Sequence, residues 1–233
     1  PVDGARLGAS AADEAILVRG TIAPDGTVDA PVWYETDQAP DVALGSTSDL
    51  SLEYLDRDGA LLGAAGVNST LLEGYRGDGL VGWSSFGARV PRVEGVARLV
   101  LRDVSTGTVL VDRAVTEAAP TAAVTAPTAS TWAAIGGELD IRWTASDDDG
   151  TPTDELRAAL SYSTDGGESF KPIAMDVQGT QFNWTVGDHL AGKPLLLKVE
   201  VTDGVRTTAA TSPNLTVGGT PPSGEPRVAV IRN

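Results

Sequence analysis

Residues 139–144 read Leu139-Asp140-Ile141-Arg142-Trp143-Thr144, and this stretch decides the fold. Apolar and polar side chains alternate with a period of two. A helix repeats its faces every 3.6 residues and has no use for such a pattern, whereas a strand with one covered and one wet face requires it. The alternation continues downstream. Leu156, Ala158, Leu160 and Tyr162 form one apolar row, Phe182, Trp184 and Val186 a second, and Leu195, Leu197, Val199 and Val201 a third. Asp203-Gly204 then turns the chain into a last strand that ends near Val217.

Upstream the same reading holds. Ile16–Ile22 and Pro31–Thr36 read as strands, and Leu50, Leu52 and Tyr54 point one way with Ser51 and Glu53 between them. Asp56-Arg57-Asp58-Gly59 is a hairpin turn, because Asp-Gly supplies the positive φ angles a tight reversal needs; Leu61 starts the return strand. Ala97, Leu99 and Leu101 alternate with Arg98 and Arg102, Ser105-Thr106-Gly107 turns the chain, and Val109–Val115 runs back. The stretch from Val67 to Phe86 carries Gly74, Gly77, Gly79 and Gly82, and reads as either a long loop or two irregular edge strands. Residues 1–14 form a loose lead-in, with one helical turn as an option around Ala11 and Ala12. Glu117–Thr121 breaks the strand pattern, and Pro120 and Pro127 cannot donate ladder hydrogen bonds.

The predicted fold class is therefore all-β, with two tandem immunoglobulin-like β-sandwich domains, the second holding about seven strands in about 100 residues. The expected boundaries are a lead-in over 1–14, a first sandwich over 15–118 and a second over 119–218. A Gly/Pro/Ser linker follows, and Pro226–Ile231 reads as the first strand of a further repeat, so 219–233 is linker plus a strand.

Composition narrows the function. Hydrophobic residues make up 41% of the 233, enough to fill packed cores, and only 5% are aromatic, so Val, Leu, Ile and Ala must carry those cores. Lys plus Arg total 17 against 32 Asp plus Glu, a formal charge of −15 that repels phosphate backbones and anionic lipid surfaces. Nucleic acid is thus excluded as an expected partner; cations, calcium above all, are the ligands such a surface invites, and solubility alone is the competing explanation. No apolar run reaches the roughly 20 residues of a membrane span, so no membrane insertion is expected. There is no Cys, which removes disulfides, thiol catalysis and cysteine metal sites; a chain without Cys suits the cytosol and is also common among exported bacterial proteins. The chain starts at Pro1 without a Met and is read as an internal fragment of a larger protein, secreted or at the cell surface.

Three local patterns carry a family resemblance. They are Ile141-Arg142-Trp143-Thr144-Ala145-Ser146-Asp147-Asp148-Asp149-Gly150, Tyr162-Ser163-Thr164-Asp165-Gly166-Gly167 and Val199-Glu200-Val201-Thr202-Asp203-Gly204. On these, residues 120–217 resemble the immunoglobulin-like and fibronectin type III-like repeats of exported bacterial and archaeal proteins. The resemblance implies an accessory module of the kind found beside secreted proteases, glycosidases or surface-layer segments. Two departures stand out: Thr151 sits where the family pattern has an acid, and Pro152–Ala159 is longer than the usual connection. The first half is similar in layout and carries no specific motif.

Candidate chemistry is sparse. Asp147, Asp148, Asp149 and Asp154 cluster in one loop, and calcium takes six to eight oxygen ligands of that kind. The spacing is not that of an EF-hand, and the competing reading is a loop whose Asp residues cap their own turns. Ser163–Phe170 resembles one copy of the Asp-box, in which a single copy is a turn device. His189 is the one histidine, too few for the usual zinc hydrolases, and no G-x-S-x-G elbow accompanies it. With 32 acids, a close carboxylate pair of glycosidase type carries no information. Trp33, Tyr34, Tyr75, Trp83 and Phe86 lie in less regular segments; Trp33, Tyr34, Trp83 and Phe86 are the candidate sugar-stacking residues, with burial as the competing fate. Asn68-Ser69-Thr70, Asn183-Trp184-Thr185 and Asn214-Leu215-Thr216 match the glycosylation sequon, a short and frequent motif. The expectation is a module that is not an enzyme and has no cofactor other than calcium. Its expected partners are neighbouring domains of its parent chain; binding of carbohydrate or a surface polymer is the alternative, and enzymatic activity a distant one.

Overall fold

The structure, a computed structural model, describes residues 14–76 and 79–218, without the side chains of 73–81. The lead-in, the 219–233 linker and strand, and the Tyr75 side chain lie outside the described residues. Among the described residues the regular structure is almost all strand: no α-helix occurs, a 3₁₀ turn forms at Asp188–Leu190, and no helix is long and apolar enough to cross a membrane. The chain divides into two compact units. Unit 1 takes the described residues through Thr121 together with Ser146–Arg157 and Val201–Thr208; unit 2 takes Ala122–Ala145, Ala158–Glu200 and residues from Ala209 onward.

Unit 1 is built from two sheets. One contains β1 (Ala15–Ile22), β2 (Val28–Asp29), β3 (Tyr34–Thr36), β6 (Ser69–Arg76) and β7 (Gly79–Pro91) in the order β2-β1-β7-β6, with β3 also paired to β1. The other contains β4 (Leu50–Leu55), β5 (Leu61–Val67), β8 (Arg98–Asp103) and β9 (Val109–Ala114) in the order β5-β4-β8-β9. Alternation drives the stacking. Leu50, Leu52 and Tyr54 are buried while Ser51, Glu53 and Leu55 are half-exposed, and Leu52 faces Leu101 and Tyr54 faces Leu99 across the antiparallel β4–β8 pair. Ile16, Val18, Phe86, Ala88 and Val90 of the first sheet join them in one core. The β4–β5 reversal is held by Asp56, whose Oδ1 accepts from the N–H groups of Asp58 (2.9 Å) and Ala60 (2.8 Å), with Gly59 at φ +79°.

Of the two options for Val67–Phe86, the structure takes the strands: β6 and β7 form an antiparallel hairpin, β6 at the sheet edge and β7 between β6 and β1. Gly82, Ser84 and Ser85 blur its periodicity in sequence, and only from Phe86 onward does the inward row show. The expected strand Pro31–Thr36 shrinks to Tyr34–Thr36. The reason is that the Trp33 N–H goes to Gly204 O (2.9 Å) and its carbonyl accepts from the Thr202 hydroxyl (2.9 Å). Val205 sits in the unit 1 core, and Glu35 N–H bonds Val205 O (3.1 Å). Sequence periodicity placed Val201–Thr208 with the later strands; these bonds group it with Trp33.

In unit 2, β10 (Thr121–Ala126), β12 (Glu138–Ser146) and β15 (Gln181–Thr185) form a sheet in the order β10-β12-β15. The facing sheet runs β11 (Trp132–Ala133), β18 (Leu215–Val217), β16 (Pro194–Thr202), β13 (Arg157–Ser163), β14 (Lys171–Gln178), with β17 (Thr207–Thr211) also on β16. Leu139, Ile141, Trp143, Leu160, Leu195, Leu197 and Val199 are buried, so the alternating rows read in sequence are the inward rows. Tyr162 on β13 stacks on Trp184 of β15 with ring centroids 5.2 Å apart, joining the two sheets. Consecutive strands that change sheets in this way are the layout of immunoglobulin-like sandwiches. Between β17 and β18, Pro213 interrupts the ladder. Ser212 repairs it: its Oγ accepts the Leu197 N–H (3.0 Å) and donates to Pro213 O (2.8 Å), while its own N–H bonds Leu197 O (2.9 Å).

Two substitutions check these assignments. Ser212→Ala leaves the Leu197 N–H buried without its acceptor and is expected to cost about 1–3 kcal/mol in urea unfolding, because an orphaned buried donor loses its full hydration. Val205→Ala opens a cavity beside Trp33 and is expected to cost about 1–3 kcal/mol; a loss below about 0.5 kcal/mol, the range of ordinary surface changes, would mean that Val205 does not fill that core.

Candidate functional site

The acidic loop is held by its own backbone. Asp147 Oδ1 accepts the N–H of Asp149 (2.8 Å), a two-residue Asx turn. Asp149 Oδ2 accepts the N–H of Ala118 (2.6 Å), and the carbonyl of Asp154 accepts from the Arg157 guanidinium (2.9 Å). Gly150 turns the loop at φ +91°. Among the described residues no three of His, Asp and Glu are grouped to hold a metal ion, so the calcium expectation at Asp147, Asp148, Asp149 and Asp154 gains no support. One oxygen each of Asp147 and Asp149 is held by a backbone N–H.

The Asp-box-like loop is similarly closed on itself. The Ser163 hydroxyl donates to Asp165 Oδ1 (2.6 Å) and accepts from the N–H groups of Asp165 (3.2 Å) and Gly167 (2.9 Å). The Ser169 N–H bonds Asp165 Oδ1 (3.0 Å), and the Ser169 hydroxyl bonds the other oxygen. Gly166 and Gly167 take φ +79° and +100°, which admits the sharp reversal. The Ser163 hydroxyl first, then the hydroxyl and N–H of Ser169, hold the Asp165 carboxyl well below the usual carboxylate range.

The four aromatics do not form a platform. Trp33 is 0% exposed, with its indole N–H on Arg19 O (3.1 Å) and the Arg113 guanidinium 4.8 Å above its ring. Burial pushes the Arg113 pKa down, opposed by the Asp203 charge. Phe86 is 4% exposed because Gly20, its register partner on β1, leaves room for the ring; a Cβ there would lie 2.5 Å from Phe86 Cζ. Tyr34 is 5% exposed. The sugar-stacking reading of Trp33, Tyr34 and Phe86 is thus overturned. Adjacent rings on one strand would face opposite ways; Trp33 and Tyr34 are both buried because Trp33 precedes the strand and does not share its alternation.

Trp83 alone of the four keeps an exposed ring, at 40%. It lies directly across the hairpin from Leu72, 53% exposed. The last β1–β7 pair is Ile22 with Ser84, so Gly79–Trp83 of β7 is paired with β6 alone. Leu71, 61% exposed, lies on the same ribbon. A further aromatic group escaped the sequence reading: Tyr162, stacked on Trp184, hydrogen-bonds its hydroxyl with His189 Nε2 (3.1 Å). The sequence places Tyr162 and Trp184 in separate apolar rows and carries no signal of their stacking.

No protein-family model matches the chain, and no curated protein matches its sequence. Several solved structures are similar, three of which follow. The fibronectin(III)-like modules of CbhA from Clostridium thermocellum share 15% identity at a TM-score of 0.33, over 74% of this chain and 78% of that one. A putative membrane anchored protein from Corynebacterium diphtheriae shares 10% at 0.29, over 88% of this chain and 58% of its own. A beta-1,2-glucanase from Parabacteroides distasonis shares 12% at 0.28, over 89% of this chain and 28% of its own.

The Asp165 bonds have a pH signature. A depressed carboxyl pKa contributes stability that is present above the unfolded value of about 3.9 and is lost as the pH falls below it. Wild type is expected to exceed Asp165→Asn in urea midpoint at pH 7, with the gap closing on acidification below about pH 4. A gap that is constant from pH 7 to pH 2 would show that the charge of Asp165 plays no part in holding the loop.

Proposed function

We propose that this chain is a non-catalytic structural and interaction module of a larger secreted or cell-surface protein. Its partners in this reading are the neighbouring domains of its parent chain, which it spaces and positions. What supports the reading is the use to which the chemically capable side chains are put. Asp147, Asp149, Asp165, Glu35 and Arg113 are each engaged by loop backbone, by a turn hydroxyl or by an ion pair within their own unit. A sandwich that closes its own core and secures its own loops can be inserted into a chain without altering its neighbours.

A second reading, binding of carbohydrate or a surface polymer, has one observation in its favour: the exposed Trp83–Leu72 pair on the β6–β7 ribbon. An amphipathic ring of that kind can stack on a sugar face.

One set of assays separates the readings. The purified chain is expected to leave chromogenic glycosides, esters, phosphates and peptides at background rates; turnover that a single carboxylate-to-amide substitution removes would establish an enzyme. Affinity electrophoresis in polysaccharide gels is expected to show no retardation, and retardation that Trp83→Ala abolishes would establish the second reading.

A further inference from the structure

The sequence holds four asparagines, and Asn233 is its final residue. The other three all stand two places before Ser or Thr with no Pro between: Asn68-Ser69-Thr70, Asn183-Trp184-Thr185 and Asn214-Leu215-Thr216. Ser and Thr together make up about one residue in six, so all three would fall into this acceptor pattern by chance about once in 200 trials. One sequon is weak; the confinement of every internal asparagine to a sequon is a stronger observation.

The structure adds a second one. All three asparagines are exposed, on different elements. Asn68 joins β5 to β6, and its amide oxygen accepts from the Ser48 hydroxyl, a bond that an N-linked amide retains. Asn183 lies on β15 opposite Asp140 of β12, in the exposed row Gln181, Asn183, Thr185 that alternates with Phe182 and Trp184. Asn214 sits in the break between β17 and β18, flanked by buried Leu215 and one residue after Pro213. Two of the three mark sheet edges: β6 ends its sheet and exposes Leu71 and Leu72, and β15 ends the three-stranded sheet of unit 2. Unpaired strand edges template association with other chains, and a bulky hydrated group beside them blocks it.

We propose that Asn68, Asn183 and Asn214 are N-glycosylation acceptors, with glycans at Asn68 and Asn183 shielding the sheet edges at β6 and β15. The proposal rests on the export reading above. The donor class is an oligosaccharide linked through C1 to a polyprenyl phosphate or pyrophosphate. The Asn Nδ2–C1 bond forms as the C1–O bond to phosphate breaks; Nδ2 loses a proton and the phosphate-bearing carrier leaves, with no change of oxidation state. The transferase takes the hydroxyl two residues on as part of its recognition of an extended chain. Folding afterwards requires only that each glycan stay at the surface, as the three positions allow.

The test uses protein recovered from its own source cells, with culture medium and cell lysate analysed separately, and electron-transfer fragmentation of the peptides spanning each asparagine. The expected result is secreted or surface-bound protein with hexose-containing mass on Asn68, Asn183 and Asn214, and loss of the mass at position 214 in both Asn214→Gln and Thr216→Ala. Exported protein with bare asparagines at all three positions overturns the glycosylation proposal and leaves the export reading standing. Protein confined to the lysate and bare overturns both.

Discussion

A strand whose every second side chain is apolar cannot lie open to water on both faces. Covering one such row is worth about 1.5–3 kcal/mol for each fully buried Leu, Val or Ile, before the entropy of ordering the chain is set against it. Each unit therefore takes the form of sheets with their apolar rows covered. The period of two also locks register, since a slip of one residue would turn Leu50, Leu52 and Tyr54 out and Ser51 and Glu53 in. With so few aromatics, the two buried indoles matter: Trp33 in unit 1 and Trp143 in unit 2 fill volumes that several aliphatic side chains would otherwise have to share.

The acidity of the chain has a second origin beyond solubility. Asp25, Asp56, Asp103, Asp147, Asp165 and Asp203 each accept a backbone N–H two to four residues further along. All six are followed within four residues by a glycine of positive φ that completes the reversal, at Gly26, Gly59, Gly107, Gly150, Gly166 and Gly204. Asp and Gly are the natural pair for such turns, one bonding ahead and the other adopting the left-handed backbone. A fold with many short strands needs many reversals, and here carboxylates supply them.

This division explains what could be read in the sequence. The inward rows of β4, β8, β12 and β16 were legible because burial on a sheet repeats at a fixed interval, and the Asp-Gly reversals because their chemistry is local. The fate of the aromatics was not legible. Whether a ring at Trp33 or Phe86 faces water depends on Gly20, Arg113 and Gly204, residues distant in sequence that carry no mark of the contact. Trp83 kept its exposed ring for a reason equally hidden: β1 stops short of it.

The grouping of Val201–Thr208 with Trp33 also sets an order of events in biosynthesis. When the ribosome has released the first 121 residues, the backbone of Trp33 still lacks the donor and acceptor that Thr202 and Gly204 will bring, and the place of Val205 in the core is unfilled. About 80 further residues must emerge first, several seconds of elongation at roughly 5–20 residues per second. Through that interval the amino-terminal half stays incomplete, and whatever binds nascent chains has those seconds in which to act.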